Sequence, residues 1–303
     1  MADSILIVGT GALASLFAAR LAAQKVQVRM LGSWAEGLAA LRQHGVTLVQ
    51  ADGKQQAYPV DATADPAECQ GAMMALVLVK SWQTERAAGQ LAECLSDDGV
   101  ALTLQNGLGN REILAQALGA ERVALGVTTT GATLLSSGRV RPGGEGVVSV
   151  GRHARLERLL ELLQQAGFNL DVLEDVDTLI WGKLVINAAI NPVTALLKVP
   201  NGELLTRPSA RELSAALAGE VAAVAAAQEI RLAFDDPAGA AEGVARRTAA
   251  NNSSMLQDVL RGAPTEIDAI CGAVVKRGRE LGVDTPVNQT LWRLVRALQE
   301  AEG

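Results

Sequence analysis

Lys183, Asn187 and Asn191 stand at i, i+4 and i+8 within residues 179–192, so on an α-helix they line one face. Nearly every other residue of that segment is Leu, Ile, Val, Ala or Trp. A lysine among such neighbours loses hydration of its ammonium form, and its pKa drops toward the range where it can give up a proton. Lys183 is therefore the general-acid candidate. Two asparagines weaken a helix and are better explained by directed hydrogen bonds than by a solvent-facing stripe. The plainer alternative is a lysine snorkelling to water beside two capping amides near Pro192.

A second constellation opens the chain. A branched apolar run at 5–8 leads into Gly9-Thr10-Gly11-Ala12-Leu13-Ala14 and then a helical pattern. This is the GxGxxA dinucleotide fingerprint in its strand, turn, helix context. Gly9 permits the tight turn, Gly11 lets backbone approach a pyrophosphate, and Ala14 keeps helix and strand close. The helix N-terminus adds free N–H groups and partial positive charge for phosphate. Two more polar loops follow apolar strand runs, Lys80-Ser81-Trp82 and Gln105-Asn106-Gly107. In an open α/β sheet they share the rim where ligands bind. The second strand run ends Arg29-Met30-Leu31-Gly32-Ser33-Trp34 with no acid at its tip for ribose hydroxyls, which favours NADP(H) without excluding NAD(H). Ser33 could bond a 2′-phosphate, and strand alternation leaves open whether Arg29 lies nearby or points away.

The elements that must carry these groups follow from pattern. Strands are expected at 5–8, 26–31, 75–79, 100–104 and 123–127, with helices at 12–23, 34–43, 84–95 and 111–117 between them. Such alternation implies a parallel sheet wrapped by helices. Turn signals between 134 and 150 predict hairpin strands extending that sheet on one edge. A helix at 154–166 and a strand at 169–173 complete the first domain, 1–173. From 174 to 303 the pattern is helical, broken at Pro192, Pro200, Pro208, Pro237, Pro264 and Pro286. The fold class is thus α/β, a Rossmann-type doubly wound sheet followed by an all-α domain. Asn251, Ser254 and Asp258 should share one helical face, and Thr265 should cap a helix with Glu266 in its first turn.

Composition narrows the function. The chain has 303 residues, 49% hydrophobic, 3% aromatic and 20% charged, with net charge −6. No basic run could neutralise several nucleic-acid phosphates. Two histidines leave little room for His-based triads or multi-histidine zinc sites, and no metal is expected. Three widely spaced cysteines fit reduced thiols in the cytoplasm. The apolar stretch 179–199 contains Lys183, Asn187, Asn191 and Pro192 and is rejected as a membrane span. The apolar helical surface is compatible with a homodimer.

Together the motifs resemble the ketopantoate reductase family. The residues that carry the resemblance are Gly9-Thr10-Gly11-Ala12, Lys80, Gln105-Asn106-Gly107, Thr128-Thr129-Thr130, Trp181-Gly182-Lys183, Asn187, Ile190-Asn191-Pro192, Pro200-Asn201-Gly202-Glu203, residues 252–258 and Thr265-Glu266-Ile267-Asp268. The resemblance implies a Rossmann domain, a helical domain like that of 6-phosphogluconate dehydrogenase, and NADPH and ketopantoate held between them. It implies Lys183 as proton donor to the ketone oxygen, and Asn106 and Lys80 beside cofactor and substrate. Asn187, Asn191, Asn201 and Ser254 would hold the hydroxyl and carboxylate ends of the keto acid. Glu266 would orient the nicotinamide ribose or the lysine. The chain departs from the family near Leu31, where members commonly carry an arginine. Two other readings compete: another two-domain NAD(P)-dependent 2-keto acid or 3-hydroxyacid dehydrogenase, and an NADP(H)-sensing protein without catalysis.

Overall fold

The computed structural model describes residues 3–300. They pack as two compact units, one holding the chain up to 105 with 110–176, the other 106–109 with the chain from 177 on. The first unit runs β1 (Ser4–Val8), α1 (Ala12–Ala23), β2 (Gln27–Leu31), α2 (Ala35–His44), β3 (Val46–Val49), β4 (Gln55–Tyr58), β5 (Asp61–Thr63), β6 (Ala72–Val77), α3 (Thr84–Cys94), β7 (Leu95–Thr103) and α4 (Asn110–Leu118). It continues with β8 (Val123–Thr128), β9 (Ala132–Ser136), β10 (Arg139–Pro142), β11 (Val147–Gly151), α5 (Glu157–Gln165) and β12 (Asn169–Leu173).

The main sheet has eight strands in the order β12-β11-β8-β7-β6-β1-β2-β5. Its pairs are parallel except β11 against β8. Residue alternation along β1 explains why helices cover both faces. Ile5 and Ile7 join a core with Leu16 and Phe17 of α1 and Leu159 and Leu163 of α5. Leu6 and Val8 join the opposite core with Leu91 of α3 and Leu114 of α4. The expected doubly wound α/β class is the one observed.

The expected sheet extension at 134–150 needs correcting. The β9–β10 hairpin leaves the main sheet and joins a separate four-stranded one, ordered β4-β3-β10-β9. Only β11 extends the main sheet, antiparallel to β8. Backbone contact at the turn between β10 and β11 separates the two paths: a Cβ on Gly146 would sit 2.3 Å from the Thr130 nitrogen. Strands β3, β4 and β5 went unread because β3 and β5 are only four and three residues long and β4 is a polar, largely exposed Gln-Gln-Ala-Tyr, too little for alternation to register.

The second unit is helical: α6 (Asp177–Leu197), α7 (Glu203–Thr206), α8 (Pro208–Ala226), α9 (Pro237–Arg247), α10 (Ser254–Leu260), α11 (Ala273–Leu281) and α12 (Pro286–Glu300). Trp181, Leu184, Val185 and Ala188 of α6 pack with Val221, Val224 and Ala225 of α8 and Ile267 and Ile270 further on. By length and composition α6 could cross a membrane, yet 67% of its most apolar window is buried in this core.

Pro192 does not break this helix, contrary to the pattern-based expectation; it lies inside α6 and is buried. A mid-helix proline costs roughly 3 kcal/mol, which the burial of α6 on both sides of it offsets. Pro208 and Pro237 instead begin α8 and α9, and Pro286 begins α12, where the missing N–H is an orphan in any case. The segment after Thr265 also differs from expectation. Residues Asp268–Gly272 form a π-helical turn before α11, so Glu266 precedes the regular helix.

Candidate active site

In the first unit β1 delivers the chain to a loop built for close approach. Gly9 has φ +131°, a conformation that favours glycine, and its N–H donates to the Leu31 carbonyl at 2.8 Å. A Cβ there would meet the Leu78 carbonyl oxygen at 3.0 Å. Gly11 is the opposite case: no atom lies within 4 Å of where its Cβ would be. It precedes α1, whose first turn has no side-chain cap and no acid. The α1 N–H groups and the helix dipole are thereby left to an anion approaching over Gly11. Thr10 packs its methyl against Gly32 at the end of β2, where a Cβ would be 2.7 Å away. Ala12 and Leu13 open α1, and Ala14 is fully buried, giving the close helix–strand packing read from the motif. This cradle fits a dinucleotide pyrophosphate. Lys80 lies in the loop after β6, immediately before the 3₁₀ turn Ser81–Gln83.

Arg29 resolves as the residue that points away. Its guanidinium donates to the Glu68 carbonyl and to Asp61 on the neighbouring β5, the latter at 3.3 Å.

In the second unit α6 presents Lys183 and Asn187, both half-buried, and Asn191, which is buried. Desolvation pulls the Lys183 pKa down to about 8, against the opposing influence of the Glu266 carboxylate. Glu266 is itself buried, at 5% exposure, and accepts from Asn106 Nδ2 at 3.1 Å. Thus the structure couples three residues that are 77 or more positions apart from their neighbours in sequence. Asn106 belongs to this unit because its loop is tied to the π turn. Leu108 N–H donates to the Ala269 carbonyl at 2.9 Å. Gly107, at φ +80°, passes so close that a Cβ would lie 2.3 Å from that oxygen. The Asn-Gly pair, readable as an ordinary turn, is a point of backbone contact.

Asn201 follows α6 and donates from Nδ2 to Thr248 Oγ1 at 2.9 Å, while its N–H donates to the Asn251 carbonyl. Its Oδ1 is buried with no partner among the described residues, an acceptor open to a ligand donor. Asn251 lies outside α10 and is exposed, so the expected helical face of Asn251, Ser254 and Asp258 loses its first member. Ser254 opens α10 and Asp258 is buried on it. Ser253, unread in the sequence, is the helix cap: its Oγ accepts from Leu256 N–H at 3.1 Å and shares a 2.7 Å hydrogen bond with Thr194 of α6. The available signal was its residue type alone, a preference for the cap position that Asn251 and Asn252 share. Ser253→Ala should destabilise the protein by about 1–2 kcal/mol, read as a lower midpoint in urea unfolding; an unchanged midpoint would refute the capping role.

Residues 5–155 match the family model described as ketopantoate reductase PanE/ApbA, and residues 175–299 match its C-terminal counterpart. Over 97% of this chain and 97% of its own length, the 2-dehydropantoate 2-reductase of Archaeoglobus fulgidus is 40% identical. The chain belongs to the ketopantoate reductase family. The 2-dehydropantoate 2-reductase of Halobacterium salinarum is 36% identical over 97% of this chain and 98% of its own. Among solved structures, a ketopantoate reductase family member from Ralstonia eutropha JMP134 superposes with a TM-score of 0.92 at 29% identity, covering 99% of each chain. A D-mandelate dehydrogenase solved with NADH and anilino(oxo)acetate has the same TM-score at 26% identity, again covering 99% of each. Ketopantoate reductase membership gives each unit's cluster a chemical context: in the first a Gly loop with open space over Gly11, in the second a lysine whose pKa is lowered by desolvation, with a carboxylate and amides.

Proposed function

We propose that this chain reduces the 2-keto group of ketopantoate to give pantoate with NADPH, in the cytoplasm, as a step of pantothenate synthesis. The observation that carries the reading is the Lys183 ammonium, pulled down to about 8 by its apolar surroundings while Glu266 faces it. When bound, the nicotinamide supplies hydride to the carbonyl carbon. Lys183 Nζ stabilises the oxygen as negative charge builds on it, then gives it the proton. A pKa near 8 keeps most of the lysine protonated at neutral pH while making the transfer easy. Asn187, Asn191, Asn201 and Ser254 hold the hydroxyl and carboxylate of the keto acid, the unpartnered Asn201 Oδ1 accepting from the hydroxyl. Glu266 holds Asn106 and sets the charge seen by Lys183. Gly9 through Ala14, with Lys80, seat the cofactor.

A second reading, a dehydrogenase for another 2-keto acid, is favoured by the likeness to D-mandelate dehydrogenase. The two separate in one experiment. NADPH oxidation is followed with ketopantoate, phenylglyoxylate and pyruvate side by side. The expected result is a kcat/KM for ketopantoate far above the others; preference for an aromatic keto acid installs the second reading, and no turnover of any removes both.

A further inference from the structure

At the tip of β2 a doubly wound sheet meets the adenosine ribose of a dinucleotide. Here that tip reads Leu31-Gly32-Ser33-Trp34, with no acid to pair with a ribose diol. The cation carried by the strand itself, Arg29, is engaged with Asp61 and the Glu68 carbonyl. Positive charge arrives from elsewhere. Arg86, in the first turn of α3, reaches across 53 positions of sequence and donates Nη1 to Ser33 Oγ at 2.5 Å. Both residues are exposed, and Arg86 enters no ion pair among the described residues.

Its position is set by the buried start of α3. Thr84 Oγ1 donates to Asn110 Oδ1 at 2.8 Å and accepts from Gln105 Nε2 at 2.9 Å. Ser33, for its part, follows Gly32, whose missing Cβ leaves room for Thr10 of the Gly loop. The pair therefore sits one residue beyond the contact between the Gly loop and β2, held from both sides.

We infer that Arg86 and Ser33 receive the 2′-phosphate of NADP(H), so that α3 supplies the specificity-determining cation that β2 lacks. A guanidinium offers parallel N–H donors to phosphate oxygens, and the serine hydroxyl adds a donor once the phosphate replaces it as acceptor. NAD(H), with a neutral diol there, gains little from the arginine. The inference rests on the proposed function for the presence of a nicotinamide cofactor, but not on the identity of the keto acid.

Binding of NADPH, NADH, 2′,5′-ADP and 5′-AMP is measured by calorimetry on the wild type, Arg86→Gln, Arg86→Lys and Ser33→Ala. The wild type should favour each phosphorylated ligand over its partner. Arg86→Gln should weaken NADPH and 2′,5′-ADP by about 10- to 100-fold while NADH and 5′-AMP change less than about threefold. Arg86→Lys should recover part of the loss, and Ser33→Ala should show a smaller one. Equal losses for both members of each pair would mean a structural role and overturn the inference, as would a wild type indifferent to the phosphate. Selective 2′,5′-ADP binding without ketopantoate turnover would uphold this subsite and reject the substrate.

Discussion

Lys183→Met is expected to lower kcat for ketopantoate reduction by about 10²–10⁴-fold, the usual worth of a positioned proton donor, with cofactor affinity nearly unchanged. The same substitution should make the protein more stable. Burial places the Lys183 pKa at about 8, where a lysine ordinarily titrates near 10.5. Between those two values the unfolded chain binds a proton that the folded one has released, so stability rises with pH across that window. Below pH 8 both states are protonated and the full cost of burying the ammonium remains. The interval from 10.5 to about 8 corresponds to about 3 kcal/mol, and a methionine of similar length recovers some of it. The wild type should thus gain stability from pH 8 to 10.5 through this group, and the variant should lose that gain while unfolding at higher urea near neutrality. Steady-state kinetics, calorimetric cofactor titration and urea unfolding at two pH values check the whole set. Turnover at wild-type level would end the proton-donor assignment.

Glu266→Gln carries the second large effect. In the wild type kcat/KM for reduction should be flat below about pH 8 and fall tenfold per pH unit above it, as Lys183 loses its proton. The Glu266 carboxylate opposes the desolvation of Lys183, so removing its charge lets desolvation act alone and the lysine pKa falls further. The descending limb should move below 8. Activity at pH 8 drops by about tenfold or more and returns on acidification. Glutamine keeps the volume and a carbonyl oxygen for Asn106 Nδ2, so the change reports charge. A limb that stays in place would show that Glu266 does not govern Lys183, and a uniform loss at every pH would assign it to positioning alone.

The parts of this site that were legible in the sequence are those whose signal is local. Gly9 and Gly11 could be read because a strand-to-helix turn over an anion leaves few alternatives to glycine. The stripe of Lys183, Asn187 and Asn191 could be read because helical periodicity sorts faces without knowledge of partners. Pro192 misled for the converse reason: local propensity predicts a break, and the core around α6 outweighs it. Ser253 was overlooked because Asn251 and Asn252 beside it are equally good caps by type, and only the packing of α10 on Thr194 selects among them.

Sequence alone determined the α/β class, the change to helices after 173, the Gly loop and the helix that carries Lys183 with Asn187 and Asn191, since each depends on side-chain pattern within about a dozen residues. Tertiary structure decided which distant groups meet. It sent β9 and β10 to a second sheet, turned Arg29 onto Asp61, carried Asn106 to Glu266 through the backbone contact at Gly107, and brought Arg86 to Ser33. Those outcomes are set by which backbone and side-chain atoms can approach without a clash, and such contacts between remote segments leave no period in the chain to read.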